Sequence, residues 1–152
     1  MTWKTIVVPH DFSASANHAV ALARDLSKVH GANLILLHVI DLPASMGPEV
    51  VIPGDGEGPI GVKEYAMQGA EEHLADIVAR LAKDEVVATP FIRIGLPVDE
   101  ILRLCEAQKA DLIVMGTHGR TGIRHLILGS VTEQVVRAAK IPVLTVRHPD
   151  EA

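Results

Sequence analysis

The residues best placed to do chemistry lie between positions 115 and 133: Met115-Gly116-Thr117-His118-Gly119-Arg120, then Leu128-Gly129-Ser130-Val131-Thr132-Glu133. Glycines at 116, 119, 122 and 129 let the backbone bend sharply and approach a ligand with no Cβ in the way. Ser130-Val131-Thr132-Glu133 reads as a capping box and so marks a helix start. Such a start offers free N–H groups and the positive end of a dipole, and beside glycines it forms a cradle for an anion. The chemistry implied is phosphate binding. Ser130 would cap a helix without any ligand, yet its hydroxyl and the N–H groups of Ser130 and Val131 can face a phosphate in the same arrangement. His118 and Arg120 can add charge-assisted bonds to an anion, and Arg120 reads equally well as a solvated loop residue.

Other chemistries find no support. There is no G-x4-G-K-[ST] and no G-x-S-x-G, which excludes a P-loop and a nucleophile elbow. Lys109 and Lys140 stand outside the glycine segment, and no base is evident that could position a water, so fast nucleotide hydrolysis is not expected. The eight histidines include no HxH or HxxxH pair, Cys105 falls on a helix's apolar stripe, and Arg124 and His125 read as surface groups, so no metal site is expected.

The segment must be carried by strands and helices. Thr5-Ile6-Val7-Val8, residues 34–39 and Leu112-Ile113-Val114-Met115 are short, continuous apolar runs, as expected of strands buried on both faces of a parallel sheet. Ser13 or Ser15 can cap a helix with Ala19, Leu22, Leu26 and Val29 on its buried side, ending at His30-Gly31. Residues 41–61 carry so many glycines and prolines that most of the stretch is expected to lack regular structure and to act as a mobile flap. Met67, Ala70, Leu74, Ile77 and Leu81 then keep helical spacing. Residues 87–94 alternate like a strand but contain Pro90, which assigns them to a sheet edge. Pro97 opens another helix with Asp99 and Glu100 in its first turn and Val98, Ile101, Leu102 and Cys105 as its stripe. A last helix over residues 130–139 leads to a strand at Val143-Leu144-Thr145-Val146. Strands alternating with helices define an α/β sheet with helices on both faces.

At 152 residues the chain suits one domain, and at 48 % hydrophobic but 3 % aromatic its core must be aliphatic. A net charge of −5 leaves no basic footprint for nucleic acid or anionic membrane. One cysteine, no signal-like start and no bilayer-length apolar run lead to the expectation of a cytoplasmic protein.

The pattern Gly116-x2-Gly119-x9-Gly129-Ser130 resembles the ATP-binding motif of the universal stress protein family, G-x2-G-x9-G-(S/T). The resemblance continues in Val7-Val8-Pro9-His10-Asp11-Phe12-Ser13, Leu37-His38-Val39-Ile40-Asp41 and Pro142-Val143-Leu144-Thr145-Val146, and so runs over most of the chain. It implies a Rossmann-like, open, twisted five-stranded parallel sheet of order 3-2-1-4-5. It also implies a ligand site where the first and fourth strands end, beside His10-Asp11 and Gly116-Thr117-His118-Gly119. By the same resemblance Gly119, Gly129, Ser130 and Val131 would hold a triphosphate, and Met115 and Gly116 would lie near the ribose. Asp11, otherwise a turn cap, would approach the nucleoside, and the backbone of Val39 would meet adenine. Pro9 and Thr132 complete the expected site, and His10 receives no role.

The expected protein is therefore an ATP-binding regulatory member of that family, with little or no hydrolysis, in which nucleotide acts as a conformational ligand. Any Mg²⁺ would ride on the phosphates. Pairing through the final strand, residues 141–147, would make a homodimer, and a protein partner would read the ligand-dependent surface. Two rival expectations are a slow ATP-hydrolysing enzyme of the same fold and a nucleotide-free structural dimer module.

Overall fold

A computed structural model describes residues 1–47, 50–54, 58–118 and 128–149. In chain order its elements are β1 (Thr5–Pro9), α1 (Ala14–His30), β2 (Asn33–Ile40), β3 (Val51–Ile52), β4 (Ile60–Gly61), α2 (Val62–Lys83), β5 (Ala88–Ile94), α3 (Pro97–Ala107), β6 (Leu112–Gly116), α4 (Ser130–Ala138) and β7 (Val143–Val146). Five strands form one parallel sheet in the order β5-β2-β1-β6-β7. This is the expected 3-2-1-4-5 order, with the Pro90 strand at one edge, where a missing donor does least harm.

The continuous apolar strands serve two cores at once, because successive side chains point to opposite faces. Ile6, Val8, Leu34, Leu36, Leu112 and Val114 pack with Ala19, Ala23, Leu74, Ile77 and Leu81 of α1 and α2. Their neighbours Val7, Ile35, Leu37, Ile113 and Met115 pack with Ile101, Leu104, Cys105 and Val135 of α3 and α4. Burial pushes the Cys105 thiol up to about 11, so it behaves as a small apolar side chain.

The buried side of α1 differs from the expected one. Ser15, Ala16, Ala19, Val20, Ala23 and Ser27 are buried, whereas Leu22 and Leu26 only flank the core and Val29 is 78 % exposed. Small residues let this helix lie close on the sheet, so the larger ones are displaced to its sides. In α3, likewise, Leu104 is fully buried and Leu102 only partly so. Ser13 is the N-cap of α1, its hydroxyl accepting the Ala16 N–H at 3.1 Å, and Gly31 closes the helix at φ 65°.

Most of the described part of residues 41–61 lacks regular structure, as expected. Within the described part, β3 and β4 form an antiparallel ribbon pairing Val51 with Gly61 and Ile52 with Ile60. Val50-Val51-Ile52 is a β-branched run too short to stand out among glycines and prolines.

At the opposite end of the sheet, Asp111 clips β6 to β1. One carboxylate oxygen accepts the N–H groups of Lys4 at 2.7 Å and Thr5 at 2.9 Å. These bonds hold the carboxyl below its ordinary value of 3.8. A depressed carboxyl stabilises the fold above the unfolded-state pKa and loses that contribution as pH falls through the folded value. Asp111→Asn is therefore expected to cost roughly 0.5–1 kcal/mol at pH 7, a modest figure because solvent screens this exposed group. It should also flatten the fall in stability below about pH 4; urea titrations of both proteins across pH check this.

Candidate functional site

The strand order reverses between β1 and β6, which lie side by side, and open α/β sheets bind ligands beyond the carboxyl ends of such strands. A cavity of about 450 Å³ occupies that position. One wall is the end of β1 and the start of α1, with Pro9, His10, Asp11, Ser13 and Ala16. A second is Leu37, Val39 and Asp41 at the end of β2, and Pro97 and Ile101 of α3 close the side below. The remaining wall is Met115, Gly116 and His118 after β6, together with Gly129, Ser130, Val131 and Thr132 at the start of α4. Every sequence-predicted site residue within the described part lines this cavity. Gly119 and Arg120, also expected here, lie outside the described residues, as do Arg124 and His125.

The capping box does not form. Gly129, not Ser130, is the N-cap of α4, with extended backbone and no side-chain cap, and its carbonyl accepts the Glu133 N–H at 2.9 Å. The Glu133 side chain pairs with Arg137 at 2.7 Å on the exposed side of the helix. Ser130 is thus the first helical residue, and the start of α4 faces the cavity with a glycine as its N-cap, an arrangement that favours a negative ligand. Thr132 is buried and its hydroxyl donates to the Gly116 carbonyl at 2.8 Å, fastening α4 to the end of β6.

Thr117 gathers the other ends. Its N–H donates to the Val146 carbonyl at 3.0 Å, and its carbonyl accepts the Gly129 N–H at 2.6 Å. Gly116 serves packing more directly than ligand approach, because a Cβ there would stand 2.8 Å from the Ser15 carbonyl carbon and 2.9 Å from its Cβ.

The β1–α1 loop is held just as closely. Asp11 accepts the Ser13 N–H at 3.0 Å, so it is a turn cap as well as a wall residue. His10 is 3 % exposed. Its Nδ1 accepts the Phe12 N–H at 3.0 Å, and its Nε2 lies 3.1 Å from Asn17 Oδ1. Sequence reasoning placed His10 beside the site but gave it no role, and it missed Ser13, Ala16, Leu37, Asp41, Pro97 and Ile101 as wall residues. Proximity to Asp11 was a signal for Ser13, whereas α3 reaches the cavity only through the strand order. Among the described residues no group of three or more histidine, cysteine or acidic side chains is arranged to hold a metal, and no helix is long and apolar enough to cross a membrane.

A five-stranded parallel sheet with a glycine-lined cavity at its switch point defines a Rossmann-like α/β protein. Comparison with known proteins gives the family: residues 2–147 match the model of the universal stress protein family, and the chain belongs to it. It is 33 % identical over 147 residues to Universal stress protein MJ0531 of Methanocaldococcus jannaschii, covering 97 % of this chain and 84 % of that one. The solved structure of protein MJ0577, from the same organism, superposes with a TM-score of 0.79 at 28 % identity, covering 97 % of this chain and 98 % of the other. A universal stress protein solved in complex with cAMP superposes with a TM-score of 0.66 at 28 % identity, covering 96 % and 98 %.

Proposed function

We propose that this protein binds ATP at the switch-point cavity as a regulatory ligand and turns it over slowly or not at all. The observation that carries this reading is the start of α4, which has a glycine as its N-cap and lines, with Gly129, Ser130 and Val131, the same cavity as Asp11 and Val39. The phosphates would be held by the N–H groups of α4, with Gly119 and His118 beside them, and the nucleoside would lie toward Asp11, Val39, Met115 and Gly116. Arg120 would add charge, and Mg²⁺ would be carried on the phosphates. The bound nucleotide would bias the surface formed by the glycine segment and residues 41–61, which a protein partner would read.

The relative bound to cAMP supports a second reading, in which an adenine monophosphate or cyclic nucleotide is the resident ligand. Denaturing the purified protein and identifying any released nucleotide by chromatography, then titrating ATP, ADP, AMP and cAMP, separates the two. Tightest binding of ATP supports the first reading, and tightest binding of cAMP or AMP supports the second. Turnover that copurifies with the chain and vanishes on mutation of Gly129 would favour the enzymatic alternative. No binding to the folded protein would leave the dimer module.

The open edge of β7 is part of the same proposal. Val143, Leu144 and Thr145 are only half-buried on a strand with one unpaired side, and such edges invite pairing. A second copy pairing there makes a homodimer. Light scattering is expected to give twice the 16.3 kDa chain mass, and a monomer at micromolar concentration would exclude a tight dimer.

A further inference from the structure

The loop between β1 and α1 contains a buried imidazole whose two ring nitrogens and two backbone groups are all engaged. His10 Nδ1 accepts the Phe12 N–H, so the ring proton of the neutral form must sit on Nε2, where it is donated to Asn17 Oδ1. The His10 N–H donates to the Leu37 carbonyl at 2.8 Å, and the His10 carbonyl lies 2.7 Å from His38 Nδ1. Phe12, the residue fastened by the ring, is held at φ 64°, a left-handed conformation that a phenylalanine adopts only under constraint. Asp11 lies between the two, and the Asp11–Ser13 turn starts α1 on the cavity wall.

We propose that His10 is a positioning residue for the ligand cavity: its neutral ring holds the strained Phe12 turn that presents Asp11, so protonation of His10 loosens the wall and weakens ligand binding. The inference rests on the nucleotide reading of the cavity. Protonation would put an N–H on Nδ1, facing the Phe12 N–H donor, and the bond that offsets the strain at Phe12 would be lost. The surroundings oppose that charge. Burial lowers the basicity of His10, and His38 of β2 and Arg80 of α2 act in the same direction, while the Asn17 bond and the charge of Asp11 oppose them. His73 of α2 packs on the Phe12 ring at 4.8 Å, as His38 does at 4.4 Å, and His118 faces the cavity from the opposite wall. The ring is therefore neutral at neutral pH, and a ligand that needs the neutral form loses affinity as pH falls.

The test is calorimetric titration of ATP with Mg²⁺ into the wild-type chain and His10→Asn between pH 7.5 and 5.0. Asparagine keeps an acceptor near the Nδ1 position and cannot titrate. The wild type is expected to lose about threefold to thirtyfold more affinity than the variant over that range, the upper bound being an imidazole at its ordinary 6.5. Equal pH slopes in the two proteins would overturn this inference alone. No binding of ATP to the folded wild type at pH 7.5 would overturn the nucleotide reading and this inference with it. Nitrogen NMR of the unmodified chain gives a second readout: at pH 7.5 a bare Nδ1 and a protonated Nε2 on His10, with the Phe12 amide shifting as His10 titrates. A proton on Nδ1 at pH 7.5, or a Phe12 amide indifferent to that titration, would overturn it whether or not nucleotide is present.

Discussion

Gly129→Val is expected to lower ATP affinity by about thirty- to a hundredfold while the protein stays folded. Gly129 is the N-cap of α4 with φ −64° and ψ 159°, a backbone conformation open to valine, and its N–H bond to Thr117 does not depend on the side chain. The fold therefore tolerates the change, at a cost of about 1 kcal/mol or less for a poor capping residue. On the proposed reading the ligand would not. A branched side chain on this wall would stand between the phosphate and the first N–H groups of the helix, and losing one or two charge-assisted hydrogen bonds there would be worth about 2–3 kcal/mol. Calorimetry with Mg²⁺–ATP, paired with a thermal melt, measures both halves. Unchanged affinity in a folded variant would move the phosphate away from the start of α4.

Gly116→Ala carries the largest expected effect on stability. The added methyl would press on the carbonyl carbon and Cβ of Ser15, and a backbone atom of a helix's first turn cannot swing aside. Either α1 shifts off the end of β6 or the cavity wall distorts. Overpacking of this kind costs about 1–3 kcal/mol, or roughly 3–10 °C in a domain of this size. Ser15→Gly in the same chain removes Oγ and Cβ from the contact and is expected to restore part of the loss, although glycine itself weakens a helix. Additive destabilisation by the two substitutions would show that the contact does not limit packing.

These positions also show what the sequence makes legible. Ile6-Val7-Val8 and Leu112-Ile113-Val114-Met115 are recognisable as strands because burial on both faces removes the polar alternation. Pro90 identifies the edge because one missing donor excludes a central position. Strand order came from likeness to a family, since pairing across the sheet leaves no local mark. The two-residue strands Val51–Ile52 and Ile60–Gly61 escaped because a ribbon that short depends on its partner rather than on its own composition. At the cavity, Gly116 and Ser130 were singled out by type and spacing and Asp11 by likeness to the family, but their tasks were less clear. Ser130 fits the capping-box pattern, yet Gly129 takes the cap, and the pattern cannot distinguish a cap from the first helical residue one step later. Gly116 suggested backbone approach to a ligand, whereas its nearest neighbour is Ser15, far away in sequence. His10 could be assigned only once Phe12, Asn17 and Leu37 were seen around it.

The hydrogen bond from Gly129 to Thr117 has a bearing on how such proteins diversify. It brings together the two ends of the span 118–128, and Thr117 is itself anchored to β7 through Val146. The sheet and α4 thus meet at a fastened collar. Lengthening a loop whose ends are already joined is cheap, about 0.6 kcal/mol for each doubling. A change in the length of the chain between Thr117 and Gly129 is therefore expected to cost the scaffold little, because the collar joins its ends whatever that length. The collar thus sets where length can vary, and chains lengthened there, with Thr117 and Gly129 kept, are expected to melt close to the wild type.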